Sequence, residues 1–163
     1  MILIALGGNL VSAQGDPPRA TLYLALTALR DAGVTVLDRS RWFETRPVPV
    51  SDQPNFINAA ASLATSLSPK ALLETLHDIE ARFGRLRGER NAARPLDLDL
   101  LAYHEVLSEA APILPHPRLH ERAFVLFPLR DVAPDWRHPR LQKSVSEMIA
   151  ALPPGQDVHP LGD

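Results

Sequence analysis

Residues 94–101 read Arg94-Pro95-Leu96-Asp97-Leu98-Asp99-Leu100-Leu101, and this stretch decides the fold of the chain. Side chains on a β-strand alternate between its two faces, so Leu96, Leu98 and Leu100 are expected to enter an apolar core. Asp97 and Asp99 then share the opposite face. The alternation predicts a strand at Leu96–Tyr103 that carries two carboxylates on the side away from that core.

The segments on the N-terminal side of this strand alternate between strand and helix patterns. In chain order, they are a strand at Ile2–Leu6, a helix that starts at Asp16-Pro17 and stops at Gly33, a strand-rich segment at Val34–Thr45, a strand at Phe56–Leu67 and a helix from Ser68-Pro69 to Gly84. With the acidic strand, the order is β-α-β-β-α-β. This order predicts an α+β sandwich of the ferredoxin-like class, in which helices cover one face of an antiparallel sheet.

The residues after the acidic strand predict additional C-terminal elements. A short helix is expected at Arg122–Leu129, and the capping box Ser144-Val145-Ser146-Glu147 opens a last helix through Leu152. Residues Pro153–Asp163 are expected to form a loosely held tail. No internal repeat or low-complexity linker interrupts the 163 residues, which fits a single domain over 1–163.

The composition excludes several classes of protein. A net charge of −2 argues against nucleic acid or an anionic membrane surface as the main partner. The absence of cysteine excludes disulfides, thiolate catalysis and Cys-ligated zinc. The apolar start Met1–Leu6 lacks the basic lead of a signal peptide, and no apolar stretch is long enough to span a bilayer. We therefore expect a cytoplasmic monomer without nucleic-acid or membrane partners.

A cluster of arginines precedes the acidic strand. Arginine outnumbers lysine 15 to 2, and five arginines fall in a short segment, Arg82, Arg85, Arg87, Arg90 and Arg94. Two nearby carboxylates repel each other unless a cation neutralises them, and magnesium bound with substrate phosphates suits such oxygen ligands. Guanidinium groups bind phosphate through paired donors. The pattern favours phosphoryl transfer, and the alternative is an acidic solvent face beside a solvated basic loop.

Other polar and aromatic residues are candidates for binding a flat heterocycle. Phe56 and Asn58 share one strand face, where an aromatic plane lies beside a carboxamide; a core Phe and an edge Asn are the alternative. Phe124 has the same two interpretations. No G-x-x-x-x-G-K-[ST] segment is present, so a P-loop is excluded, and Gly7-Gly8-Asn9 is expected to be a tight turn.

Three further residues are candidates for contacts with a phosphate or a nucleotide. Prolines around His116 and His120 make a helical transition-metal site a poor fit, whereas His116 suits donation to a phosphate. His77 and Glu80, three residues apart on the second predicted helix, can face a nucleotide or be an exposed polar pair.

At these residues the chain resembles the 6-hydroxymethyl-7,8-dihydropterin pyrophosphokinase family. Residues 90–101, Arg90-Asn91-Ala92-Ala93-Arg94-Pro95-Leu96-Asp97-Leu98-Asp99-Leu100-Leu101, follow the signature of that family throughout. The likeness extends from Ala5-Leu6-Gly7-Gly8-Asn9-Leu10 through residues 53–60, Pro115-His116-Pro117-Arg118 and residues 122–126 to about Pro134. Ala111 and Ile113 replace polar residues of the family, and Asn91 and Pro117 replace aromatic ones.

The resemblance implies that ATP and the pterin alcohol give AMP and the pterin diphosphate, with two magnesium ions. It implies that Asp97 and Asp99 hold both metals, that Phe56 and Phe124 sandwich the pterin, and that Asn58 reads the ring edge with the backbone around Thr45 and Val48. It also implies that Arg85 and Arg94 act on the phosphates and that His77, Glu80, Leu100, His116 and Arg122 contact the nucleotide. We expect Arg87 and Arg90 of the basic cluster to contact ATP as well.

Two rival functions stay open on this topology. A palm-type nucleotidyl transferase also carries paired aspartates, but it releases pyrophosphate rather than AMP. A non-enzymatic RNA-binding module needs exposed aromatic residues on its central strands, whereas Leu96–Tyr103 offers acid and leucine.

Overall fold

The computed structural model describes residues 1–86 and 92–162. The elements of these residues are β1 (Ile2–Gly8), α1 (Pro18–Asp31), β2 (Thr35–Arg39), β3 (Phe43–Thr45), β4 (Phe56–Ala64), α2 (Pro69–Arg82), β5 (Asp97–Tyr103), a 3-10 turn at Leu119–Glu121, α3 (Ala123–Val132), α4 (Val145–Ala150) and β6 (Val158–Pro160). The predicted β-α-β-β-α-β order is confirmed, with β2 and β3 forming the strand-rich segment that precedes β4.

The strands form one antiparallel sheet. Its order is β5-β1-β4-β3-β6, and β2 pairs with the part of β4 that β3 leaves free. The register places Ala5 opposite both Asp99 and Ala60, so β1 lies between the acidic strand and β4. The predicted antiparallel sheet of ferredoxin-like type is therefore confirmed.

Helices cover both faces of the sheet rather than the one face expected from the sequence. On the first face, Ile4 and Leu6 of β1 pack with Leu22 of α1 and Leu76 of α2. On the second face, residues of β1 and β5 pack with the C-terminal helices; they are Leu3, Ala5, Leu101, Leu126, Leu129, Val145 and Met148. Each fully buried leucine contributes about 1.5–3 kcal/mol to folding. The C-terminal helices thus complete a second core.

Strand β5 places the two carboxylates as the alternation predicts. Leu98 and Leu100 belong to the first core, so Asp97 and Asp99 face the second side of the sheet. Leu101 follows the same alternation into the second core, and the register shift opposite Leu3 and Ile4 of β1 brings the next residue, Ala102, into that core as well. Because β5 is an edge strand, its carboxylates lie at the rim of the sheet.

The predicted tight turn at Gly7-Gly8 is wrong, because both glycines belong to β1. A Cβ atom on Gly8 would lie 2.4 Å from the carbonyl oxygen of Pro95, and one on Gly7 would lie 2.7 Å from Oδ1 of Asn58. Real Cβ atoms do not approach other atoms so closely. The glycines allow the backbone segments that carry Arg94 and Asn58 to pack against β1.

The helix ends follow the sequence with small shifts. Ser68 caps α2 by accepting a hydrogen bond from the Ala71 amide at 3.2 Å, and the predicted capping box of α4 is present. Helix α1 begins at Pro18 with Pro17 at its N-cap, one residue later than predicted. Helix α4 ends at Ala150, two residues before Leu152. None of the described helices has the length and apolar character needed to cross a membrane.

The prediction that Pro153–Asp163 form a loosely held tail is wrong for the residues of the last strand. Residues Val158–Pro160 form β6, which pairs with β3, and the amide of Leu161 donates a hydrogen bond to the carbonyl oxygen of Trp42 at 2.8 Å. The backbone hydrogen bonds of this pairing tie the end of the chain to the sheet.

Candidate active site

Two cavities meet at Asp97, which lines both of them. The first, of about 450 Å³, lies between α2, β5 and the segment that leads to His116. The second, of about 400 Å³, lies between β3, β4, the start of α3 and the segment that precedes β6. Both volumes fall in the range of small-molecule sites.

The first cavity brings together most of the residues that were expected to contact a nucleotide. The residues that line it and that the sequence singled out, including those expected to hold metal or act on the phosphates, are His77, Glu80, Arg85, Asp97, Asp99, Leu100 and His116. Ala111, Ile113 and Pro117 also line it. This cavity therefore combines charged and polar side chains with apolar ones.

The second cavity brings together the residues that were expected to bind a heterocycle. Those residues are Thr45, Val48, Phe56, Asn58 and Phe124. Arg94, expected to act on the phosphates, and Asp97, expected to hold metal, line this cavity as well. Arg122, expected to contact the nucleotide, lines this cavity rather than the first. Arg87 and Arg90 lie outside the described residues.

The carboxylate of Asp97 is held by arginines from two directions. Arg85 contacts it from the end of α2, and an Nη2 atom of Arg94 lies 3.4 Å from its Oδ2. Arg85 also contacts the carboxylate of Glu80, which accepts a hydrogen bond from the Leu98 amide at 2.9 Å. Glu80 therefore holds Arg85 in place and joins α2 to β5.

Burial determines the charge state of the acidic groups. It raises the pKa of Glu80 to about 7, and the charge of Asp97 adds to the effect. Burial is also the main cause that raises the pKa of Asp99 to about 7, and repulsion from Asp97 is the second cause. Asp99 is a half-buried acid that lines the first cavity, and the charges of Arg122 and Arg94 partly offset the rise in its pKa.

These carboxylates suit a hard cation. No group of three or more His, Asp or Glu side chains with metal-site geometry occurs within residues 1–86 and 92–162. Magnesium is commonly held by one or two carboxylates and takes its other oxygen ligands from phosphates and water. Asp97 and Asp99 have the oxygen chemistry and shared strand face that such binding needs.

The sequence did not predict the role of Asn9, which fixes the position of Arg94. Its side-chain Oδ1 accepts a hydrogen bond from the Arg94 amide at 2.9 Å. Its Nδ2 donates to Gln53 Oε1 and to the Pro54 carbonyl oxygen, each at 3.0 Å. Asn9 is buried, so these bonds are shielded from water. It joins the segment before β5 to the loop before Phe56.

The walls of the second cavity combine aromatic and amide groups. Asn58 is buried, and its Nδ2 donates to Thr45 Oγ1 at 2.7 Å. This bond fixes the carboxamide plane. The guanidinium of Arg94 lies 5.7 Å from the centre of the Phe56 ring, and that of Arg122 lies 5.5 Å from the centre of the Phe124 ring. Two aromatic rings and one oriented amide suit a flat heterocycle with donors and acceptors.

His116 is a neutral hydrogen-bond donor in the first cavity. Burial, together with the charge of Arg122, lowers its pKa to about 4. Its Nδ1 accepts a hydrogen bond from the Arg118 amide at 3.1 Å, which leaves the proton on Nε2. The backbone amide of His116 donates to the Leu101 carbonyl oxygen at 2.8 Å and so fixes the residue beside β5.

Two adjoining cavities that share one carboxylate, with arginines on both sides of it, define a group-transferring enzyme that handles phosphates. A family model described as 7,8-dihydro-6-hydroxymethylpterin-pyrophosphokinase matches residues 3–134. The chain therefore belongs to this pyrophosphokinase family.

Individual relatives agree with the family match. A 2-amino-4-hydroxy-6-hydroxymethyldihydropteridine pyrophosphokinase of Synechocystis is 40% identical over 148 residues, which cover 90% of this chain and 73% of the relative. One from Pseudomonas aeruginosa is 39% identical over 93% of this chain and 91% of its own length. A mitochondrial folate synthesis bifunctional protein of Arabidopsis thaliana is 42% identical over 80% of this chain and 23% of its own length.

Asp99→Asn should change how the stability of the metal-free protein depends on pH. The pKa of Asp99 rises from its ordinary value of 3.8 to about 7 on folding, so the folded protein binds the proton more tightly. The resulting stability is present at low pH and is lost as pH rises towards 7. Asn cannot ionise, so the variant should lose less stability between about pH 4 and about pH 7.

Urea unfolding in the presence of a chelator measures this difference. Glu80 titrates in the same direction in both proteins, and its charge acts on Asp99, so the difference between the two profiles measures Asp99 together with this interaction. Parallel pH profiles for the parent and the variant would contradict the raised pKa of Asp99.

Proposed function

We propose that the chain transfers the β,γ-diphosphate of ATP to the hydroxymethyl group of 6-hydroxymethyl-7,8-dihydropterin. The products are AMP and the pterin diphosphate, and the reaction belongs to folate biosynthesis. The observation that carries this proposal is the meeting of two cavities at Asp97, in a chain of the pterin pyrophosphokinase family. A donor and an acceptor placed on either side of one carboxylate are close enough to react without a covalent enzyme intermediate.

In this proposal ATP occupies the first cavity. Leu100, Ala111 and Ile113 offer apolar contacts for the nucleoside, and His77 lies on the same wall. The Nε2 proton of His116 is available to a phosphate oxygen. Glu80 acts through Arg85, because its carboxylate is already used by Arg85 and the Leu98 amide. The triphosphate then extends from this cavity towards Asp97.

Two magnesium ions would be held by Asp97 and Asp99 together with phosphate oxygens. When bound, they would offset the charge of the triphosphate and favour attack at the β-phosphorus. The fit rests on the shared strand face of the two carboxylates and on their position in the lining of the first cavity. Asp97 faces both cavities and so would connect the donor to the acceptor.

The pterin occupies the second cavity between Phe56 and Phe124. The Asn58 carboxamide, oriented by Thr45, would pair with the donors and acceptors of the ring edge, and Val48 closes one side. The hydroxymethyl oxygen would attack the β-phosphorus and lose its proton to solvent. The bond between that phosphorus and the oxygen bridging to the α-phosphate breaks, and AMP leaves with that oxygen. Arg122 lies beside Phe124 in the second cavity, where it would contact the pterin ring and, after transfer, the diphosphate attached to it.

Arg85 and Arg94 are proposed to have different roles. Arg94 is fixed by Asn9 and lies beside Phe56, so it would position the acceptor and neutralise the transferred group. Arg85 is paired with Asp97 and Glu80 in the ligand-free protein. With Asp97 serving as a metal ligand, Arg85 would lose this partner and would pair with the phosphates, where charge develops as the bond breaks.

The structure disfavours RNA binding on the sheet face. The RNA-binding modules of this topology use an open sheet with exposed aromatic residues. Here the second face is covered by α3 and α4, and Leu3 and Leu101 are buried beneath them. The pyrophosphokinase family match likewise favours diphosphate transfer over nucleotidyl transfer.

Replacing either Asp97 or Asp99 by Ala should remove nearly all turnover, because magnesium would then lack a protein ligand. The fold should persist, since both side chains face a cavity and the loss of one relieves repulsion. Turnover at saturating magnesium and a thermal melt measure the two effects. Asp78→Ala on the exposed side of α2 is a matched control that should retain parental turnover. Substantial activity in either site variant would remove that carboxylate from the metal site.

Asn58→Ala should weaken pterin binding by about 1–3 kcal/mol, because buried donors or acceptors of the ring would lose their partner. Nucleotide affinity should change little. Calorimetric titrations with pterin and with ATP measure the two affinities separately. Asn55→Ala, an exposed residue of the adjoining loop, is the control. Parental pterin affinity in Asn58→Ala would refute the assignment of this amide to the acceptor.

A further inference from the structure

A segment outside the matched family region forms one wall of the second cavity. The family model ends at residue 134, whereas Pro153, Pro154, Gly155, Gln156 and Asp157 line the cavity opposite β4. These five residues are named the C-terminal strap. The strap contributes a quarter of the residues that line the cavity, twenty in all. It was expected to be a loose tail, and its position next to Phe124 and Arg122 calls for a function.

The strap is anchored at both ends. Helix α4 precedes it and buries Met148 in the second core. Strand β6 follows it, with Val158 paired to Thr45, and the Leu161 amide donates to the Trp42 carbonyl oxygen at 2.8 Å. Thr45 also accepts the hydrogen bond that orients Asn58. The strap therefore runs from the helical layer to the strand that supports the amide of the cavity.

Gln156 connects the strap to the start of α3. Its Oε1 accepts a hydrogen bond from the Ala123 amide at 2.9 Å, and its Nε2 donates to the Glu121 carbonyl oxygen at 3.0 Å. The two bonds lie on either side of Arg122 along the chain. One amide side chain thus fixes the backbone before and after Arg122.

These bonds replace a local helix cap. Arg122 is the N-cap residue of α3, in extended conformation, and its side chain makes no capping hydrogen bond. The first amide of the helix would otherwise need water or another partner. Gln156, distant in sequence by 33 residues, satisfies it. Because Phe124 is the next residue, the entry angle of α3 sets the position of its ring in the cavity.

The other strap contact is weak by comparison. Asp157 Oδ2 lies 4.0 Å from an Nη1 atom of Arg46, and both side chains are more than half exposed. Exposed ion pairs at this distance contribute little. Gln156 is therefore the residue through which the strap acts on the cavity.

We propose that Gln156 is a positioning residue for the acceptor: its amide holds Arg122 and Phe124 at the pterin cavity, and the strap closes that cavity opposite β4. This inference rests on the proposed function, because it assigns the second cavity to the pterin. A purely structural cap would lower stability without a selective effect on one substrate. If Gln156 positions the acceptor, its loss weakens pterin binding and leaves ATP binding unchanged.

The test compares Gln156→Ala and Gln156→Glu with the parent. Gln156→Ala loses both hydrogen bonds and should raise the Kd and the KM for the pterin about fivefold to twentyfold, with the Kd for ATP changed less than about twofold. Gln156→Glu keeps an acceptor for the Ala123 amide but loses the donor to Glu121, so its pterin affinity should lie between the other two. Calorimetry, steady-state kinetics and thermal melts supply the readouts.

Gln142→Ala is a matched control. The Gln142 side chain also donates to a backbone carbonyl oxygen, that of Pro139 at 2.7 Å, but it lies at a different surface of the protein. Its pterin Kd should equal that of the parent. If Gln156→Ala fails to fold, Gln156→Glu decides: weakened pterin binding in a folded variant supports the proposal, and parental binding overturns it.

The failures of the two proposals are distinguishable. A parent protein that forms no pterin diphosphate overturns the proposed function and this inference with it. An active parent together with a folded Gln156→Ala that binds pterin as the parent does overturns this inference alone. Equal weakening of ATP and pterin also overturns it, because that result indicates general destabilisation.

Discussion

The repulsion between Asp97 and Asp99 is the constraint on which the site depends. The alternation of β5 places both carboxylates on one face, and burial raises the pKa of Asp99. Arg85 and Arg94 contact Asp97 from opposite sides, and each is itself fixed, Arg85 by Glu80 and Arg94 through Asn9. The Asp97 carboxylate on the edge strand therefore joins helix α2, through Arg85, to the loop before Phe56, through Arg94 and Asn9. The same group lies where the two cavities meet.

The layers of the fold explain why the cavities lie at this end of the sheet. Helices α1 and α2 fill the first face, and α3 and α4 cover the part of the second face that holds Leu3, Ala5 and Leu101. The second face beyond that cover carries Asp97, Asn58 and Phe56. Within the described residues, the polar residues of the site therefore occupy a part of the sheet that α3 and α4 leave open to the cavities. This arrangement leaves room for two ligands and keeps the supporting strands rigid.

The sequence predicts the elements whose pattern is strongly periodic. Alternation predicts β5 and its carboxylates, and leucine spacing predicts α1 and α2. The second helical layer is not predicted, because an apolar stripe does not specify the sheet face that it covers. Strand β6 has three residues, too few for a period, and its pairing with β3 joins segments far apart in the chain. That Gly7 and Gly8 belong to β1, and that Arg122 lines the second cavity rather than the first, was not predicted either. Both depend on contacts between residues far apart in the chain, which a local sequence pattern does not contain.

The most direct test of the account is the fate of ATP labelled in its γ-phosphate. The parent protein is incubated with this ATP, magnesium and 6-hydroxymethyl-7,8-dihydropterin, and the products are separated by chromatography. Because donor and acceptor cavities meet at Asp97, the account predicts that AMP is formed and that the label appears in the pterin diphosphate. Release of labelled inorganic pyrophosphate, with the adenylate attached to the pterin, would contradict it.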